Sequence, residues 1–159
     1  GQAKAEKKAS RIAAEGLCRV ATDGDKVAAV VEVNSETDFV AKNEQFQSFV
    51  EAVAKQALAT SATDIDAFLA EKWNEDASKT VSDALVDKVA VIGEKLSIRR
   101  FEKVEAANGC VVTYTHGGGK IGVIVEAETA VVNDAVKEAM TNLAMQVAVV
   151  SSGRSLHHS

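Results

Sequence analysis

Proline is absent from the 159 residues, and only two cysteines are present. Average proline usage is ~5%, so the chain has few built-in breaks, which by itself identifies no activity. Cys18 and Cys110 stand far apart and form no CxxC pair. That excludes a zinc ribbon and suits a reducing compartment better than a disulfide scaffold. No apolar run approaches the ~18 residues of a membrane-spanning helix, so no membrane partner is expected. A basic excess is missing as well. Lys and Arg total 18 against 23 Asp and Glu, a net charge of −5. The chain as a whole therefore lacks the charge of a nucleic-acid binder, which leaves only a local patch open and predicts no direct nucleic-acid partner.

What is there is ordinary globular composition, 47% hydrophobic and 26% charged. A chain of this length buries roughly 68–70% of its unfolded surface and needs no metal or disulfide to fold. One domain, or two small lobes sharing a core, is the natural organisation. Residues 1–15 are Ala- and Lys-rich, with no apolar segment of a secretory signal, and are expected as a basic helix or linker. The chain begins at Gly1, which suggests a fragment or a processed chain. Residues 16–150 form the expected core domain. Residues 151–159 break the composition and are expected as a tag-derived tail, so His157 and His158 are set aside as metal ligands.

Hydrophobic spacing gives the elements. Gly16–Thr22 and Lys26–Asn34 flank Asp23-Gly24-Asp25, a hairpin signal. From Glu36 to Ala59 the pattern is helical, with Phe46, Phe49, Val50, Val53 and Ala57 on one face. Asp64–Trp73 and Thr80–Ile92 read as two more helices. The second is striped by Val81, Leu85, Val89 and Ile92 and ended by Gly93. Strands are expected over Ile98–Val104, Cys110–Thr115 and Lys120–Glu128, then a helix over Val132–Val149. The predicted order β-β-α-α-α-β-β-β-α defines an α+β fold, an antiparallel β-sheet packed against helices.

No catalytic constellation stands out. His116-Gly117-Gly118-Gly119-Lys120 resembles a phosphate loop, but GxxxxGK[ST] requires Gly where Tyr114 stands and a hydroxyl where Ile121 stands. It reads as a hairpin tip, with His116 either solvated or touching a partner. A small hydrolase or transferase using His116 and a nearby acid is a competing reading, but no serine sits in a nucleophile elbow. The charged run Glu71–Asp76 reads as a solvated helix end. The segment Asn34-Ser35-Glu36-Thr37-Asp38-Phe39-Val40-Ala41-Lys42 has two readings. In one, Ser, Thr and Asp cap a helix and Phe39 is a staple packed into the core. In the other, a rigid corner presents an acid and an aromatic that anchors an interface.

The run Val33 to Phe46, containing Thr37-Asp38-Phe39-Val40, resembles the elongation factor Ts family. The resemblance continues in order through Ala13-Ala14-Glu15-Gly16, Ile92-Gly93-Glu94-Lys95-Leu96-Ser97-Ile98-Arg99-Arg100, Tyr114 to Val123 and Leu143-Ala144-Met145. It implies a guanine-nucleotide exchange factor, not an enzyme, that binds elongation factor Tu carrying GDP and disturbs its Mg2+ site. Thr37, Asp38, Phe39 and Val40 inherit the magnesium-displacing role, with Phe39 as the wedge. Ile92, Gly93 and His116 inherit further partner contacts. The resemblance implies no cofactor or bound metal of its own, a homodimer through the core domain, and a bacterial cytoplasm, with a mitochondrial or plastid matrix as the alternative. The family's small N-terminal helical domain has no counterpart in these residues, so a dimerising scaffold with little exchange activity is the alternative function. Gln146 and Ser35 stand where the family commonly has His and Cys or Ala.

Overall fold

The computed structural model describes residues 6–154. Eight strands and four helices follow in the order β1 (Glu6–Ala13), β2 (Leu17–Asp23), β3 (Val27–Asn34), α1 (Glu44–Ala59), α2 (Ile65–Leu69), β4 (Lys72–Trp73), β5 (Asp76–Thr80), α3 (Val81–Ile92), β6 (Ser97–Glu105), β7 (Gly109–His116), β8 (Ile121–Glu128) and α4 (Asp134–Arg154). All strand pairing is antiparallel, which makes the fold α+β as expected. The single expected sheet is resolved into two three-stranded sheets, β2-β3-β6 and β1-β8-β7, plus the small β4-β5 hairpin.

The layers follow from side-chain alternation. In β3, Ala29, Val31 and Val33 face α1, α2 and α3, while Ala28 and Val30 face the second sheet. A strand buried on both faces reads as a nearly continuous apolar run, as Val27–Val33 does. In β8, Ile121, Val123, Val125 and Ala127 pack against Met140, Ala144 and Ala148 of α4. Ile124 instead meets Ile12, Cys18, Val30 and Val111 between the sheets. Gly122 permits the close approach, because a Cβ there would stand 2.8 Å from Val30 Cγ2. The result is helices, sheet, sheet, helix.

The Asp-Gly hairpin and α3 match their sequence signals. Thr80 and Asp83 form a capping box, and Gly93 closes α3 at φ +84°. Several expectations change. Glu6–Ala13, part of the expected basic helix or linker, is strand β1 along β8. Its Ala and Lys content favours a helix locally, but burying Ile12 and satisfying an edge of β8 outweigh that preference. Residues Lys72–Thr80, expected as helix end and loop, form β4 and β5. Trp73 packs on Phe49 with ring centroids 5.8 Å apart, and Glu71 accepts hydrogen bonds from Gln56 and Thr60 in place of water. The helix expected from Asp64 therefore stops at Leu69. At the C-terminal end, α4 runs through Arg154 and takes in the first four residues of the expected tail. Residues 155–159, with His157 and His158, and the first five of the basic segment lie outside the described residues.

Candidate functional site

The helix expected from Glu36 starts only at Glu44, and an exposed turn precedes it. Asn43 is the cap: its Oδ1 accepts the backbone N–H groups of Gln45 at 2.8 Å and Phe46 at 3.1 Å. Residues 35–39 are thus released from capping and form a turn between β3 and a one-turn 3-10 helix at Val40–Lys42. Phe39 is 84% exposed, whereas its neighbour Val40 is 7% exposed and belongs to the main core. Val40 is the residue that pins the turn, and the staple role expected for Phe39 does not occur. An isolated exposed apolar side chain is unremarkable on a protein surface.

Thr37 and Asp38 are exposed beside it. The Thr37 N–H donates to Glu94 Oε1 at 3.0 Å, and the Thr37 hydroxyl donates to Glu94 Oε2 at 2.6 Å. In return, the Lys95 N–H donates to Glu36 Oε1 at 2.9 Å. Ser35 Oγ closes the turn on the Thr37 carbonyl, and Gln47 Nε2 holds the Ala41 carbonyl, each at 2.8 Å. These bonds tie the Thr37–Val40 segment to the chain leaving α3. Ile92 ends that helix with its side chain packed on the core, and Gly93 is exposed in the left-handed conformation.

His116 ends β7, with Nδ1 3.4 Å from the Tyr114 hydroxyl. Gly118 and Gly119 of its turn, together with Thr115 and Lys120, border an open cavity of about 630 Å³ that Asp38, Ala41, Lys42 and Arg19 also line. Gly119 has φ +97°, and a Cβ there would come within 2.5 Å of Leu17 Cδ1. The turn is therefore seated on β2. Of the sequence-predicted contacts, Thr37 is joined by the Glu94 bonds to the chain just after Ile92 and Gly93, and Asp38 lines the cavity. His116 takes part in neither and stands in the other sheet. Glu36, Glu94 and Lys42 were not among the predicted contacts. The bonds that Glu36 and Glu94 make run between distant parts of the chain, which local spacing does not encode.

Burial shapes the chemistry nearby. Glu32 is 1% exposed, accepts the Glu15 N–H at 3.0 Å and pairs with Arg100 Nε at 2.8 Å. Burial, with Glu32 as a secondary cause, pushes the Cys18 thiol up to about 11. A thiol so displaced is a core side chain and not a nucleophile. Among the described residues no group of His, Cys, Asp or Glu is arranged to hold a metal ion, and no helix is long and apolar enough to cross a membrane.

Fold and site together define an α+β domain that presents a braced, aromatic-tipped turn. Comparison with known proteins gives the family. The family model for elongation factor TS matches residues 36–154. An elongation factor Ts of Clostridioides difficile (strain 630) is 52% identical over 152 residues, covering 95% of this chain and 49% of that protein. The elongation factor Ts proteins of Clostridium kluyveri (strain NBRC 12016) and Trichlorobacter lovleyi are 45% and 44% identical, over 95% and 98% of this chain and 50% of each relative. The chain belongs to the elongation factor Ts family. It spans about half the length of these curated relatives.

Proposed function

We propose that this chain is the core of a guanine-nucleotide exchange factor that binds elongation factor Tu carrying GDP and promotes GDP release by disturbing the Mg2+ site. The exposure of Phe39 on a turn fixed at both ends carries this reading. Phe39 is the wedge. Thr37, Asp38 and Val40 shape it, and Ile92, Gly93 and His116 supply further contacts. Magnesium bridges nucleotide phosphate and protein ligands, so shifting those ligands removes much of the electrostatic hold on GDP. Linkage requires GDP to weaken this protein's binding by the factor by which the protein weakens GDP binding.

On this reading the protein makes and breaks no covalent bond, needs no cofactor, contacts no nucleic acid directly and works in the bacterial cytoplasm. Met145 and Val149, one turn apart and exposed on α4, support self-association as a homodimer. The test is release of a fluorescent GDP analogue from elongation factor Tu in millimolar magnesium, with and without this chain. Acceleration is expected. A folded chain that self-associates, as seen by sedimentation, but leaves release unchanged would instead be a dimerising scaffold.

A further inference from the structure

We infer that Glu94 and Glu36 act as positioning residues, a reciprocal clamp that makes the Phe39 turn and the end of α3 one preorganised contact surface. The inference rests on the exchange reading above for its functional consequence, and on the hydrogen bonds alone for its structural one. The turn needs such a device. Residues 35–39 lie between the end of β3 and the 3-10 turn and take no part in either sheet. Thr37, Asp38 and Phe39 are all exposed, so apolar burial does not hold them. A loop left free would have to be ordered at the moment of docking, and fixing it beforehand removes that entropic cost from the binding step.

The clamp is built by exchange. The 36–37 segment gives a carboxylate, Glu36, to the backbone N–H of Lys95 at 2.9 Å. The 94–95 segment gives a carboxylate, Glu94, to the N–H and hydroxyl of Thr37 at 3.0 and 2.6 Å. Both oxygens of Glu94 are used, so the carboxylate is fixed in orientation as well as in place. Hydrogen bonds to a charged acceptor are the stronger kind. Gly93 makes the geometry possible. Its φ of +84° ends α3 and turns the chain away from the helix axis, a conformation that glycine adopts without steric cost. Phe39 follows Thr37 by two residues, and Val40 is anchored in the core, so fixing Thr37 leaves little backbone freedom for the aromatic tip. Gly93 and Glu94 are then as much part of presenting Phe39 as its own neighbours are.

The test compares the parent with Glu94→Ala and Glu94→Gln. Two quantities are read: amide hydrogen exchange at Thr37 in the free protein, and GDP release from elongation factor Tu at limiting protein concentration. In Glu94→Ala the Thr37 amide should exchange about tenfold faster, and release should slow roughly three- to tenfold, the equilibrium value of one lost hydrogen-bonded pair. Glu94→Gln keeps one acceptor oxygen and should fall between parent and Glu94→Ala on both readouts. Adding Phe39→Ala to Glu94→Ala should cost less than the two separate losses combined, because Glu94 acts through Phe39. An unchanged Thr37 amide in Glu94→Ala overturns the clamp whatever the exchange assay gives. A loosened Thr37 with undiminished release, in a parent that is active, overturns its role in positioning. A parent that fails to accelerate release refutes the exchange reading instead, and the Thr37 amide then judges the clamp alone.

Discussion

Phe39→Ala separates surface from core more sharply than any other single change. Phe39 is 84% exposed, so truncating it removes almost no buried area from the free protein. Its cost to folding should stay within about 0.5 kcal/mol, the range of surface substitutions. Seven residues later, Phe46 is fully buried among the α1 core residues. Phe46→Ala leaves a cavity and should cost about 3–5 kcal/mol, a fall in melting temperature of roughly 10 °C for a chain of this size. Function should rank them in reverse. If Phe39 enters a pocket of the docked GTPase, the burial is worth about 1.5–3 kcal/mol, so its loss should slow GDP release roughly 10- to 150-fold at limiting protein. Urea melts and release of a fluorescent GDP analogue, run on both variants at a temperature where both are folded, measure the two effects. A Phe39→Ala protein that melts like Phe46→Ala would show that the ring is packed in solution. One that folds normally and exchanges normally would refute the wedge.

Arg100→Ala strips the buried Glu32 carboxylate of its cation and frees the Ala13 carbonyl, which Arg100 Nη2 also holds. Because Arg100 is itself half exposed, the expected loss is about 2 kcal/mol, below the usual cost of breaking a fully buried pair, and urea denaturation reads it directly. Cys18, its thiol raised to about 11 chiefly by burial, should resist iodoacetamide at pH 8 in the folded protein and react only on unfolding. Since the folded value lies above the unfolded one, the thiol's contribution to stability is intact below pH 9 and fades as pH rises toward 11. Asp25 is lowered by its hydrogen bond from Lys137 of α4, so its contribution is present at neutral pH and lost as pH falls below the ordinary carboxylate value of 3.8. Asp25→Asn should therefore lower the melting temperature slightly at pH 7 and not at pH 2, as circular dichroism can follow.

The elements visible in the sequence are those whose signals are local. Asp23-Gly24-Asp25 turns β2 into β3, Thr80 and Asp83 start α3, Gly93 ends it, and Phe46, Phe49, Val50, Val53 and Ala57 bury one face of α1. The elements that were missed are made by distant partners. β1 is a strand because β8 offers an edge, and β4-β5 turns back because Trp73 finds Phe49. The division into two sheets depends on Gly122 lying against Val30, which no pattern within β8 announces. At the site, the polar run before α1 offers several residues able to cap. Asn43 takes that place, which leaves Thr37 for Glu94 across 57 positions of sequence. Phe39 was legible as an alternative between staple and anchor, and its exposure excludes the staple.

The pairing of β1 with β8 also sets a timetable. Ala13 lies opposite Ile121 and Glu6 opposite Glu128, so β1, once it leaves the ribosome, must wait for roughly a hundred residues before its partner exists. At ~5–20 residues per second that interval is on the order of 5–20 s, long enough for the β2-β3 hairpin and α1 to form many times over. Throughout the wait β1 is an unpaired strand, the kind of segment that recruits neighbouring nascent chains. Lys7, Lys8 and Arg11 against Glu6 leave it with a net positive charge, and like charges on an open edge oppose pairing between copies.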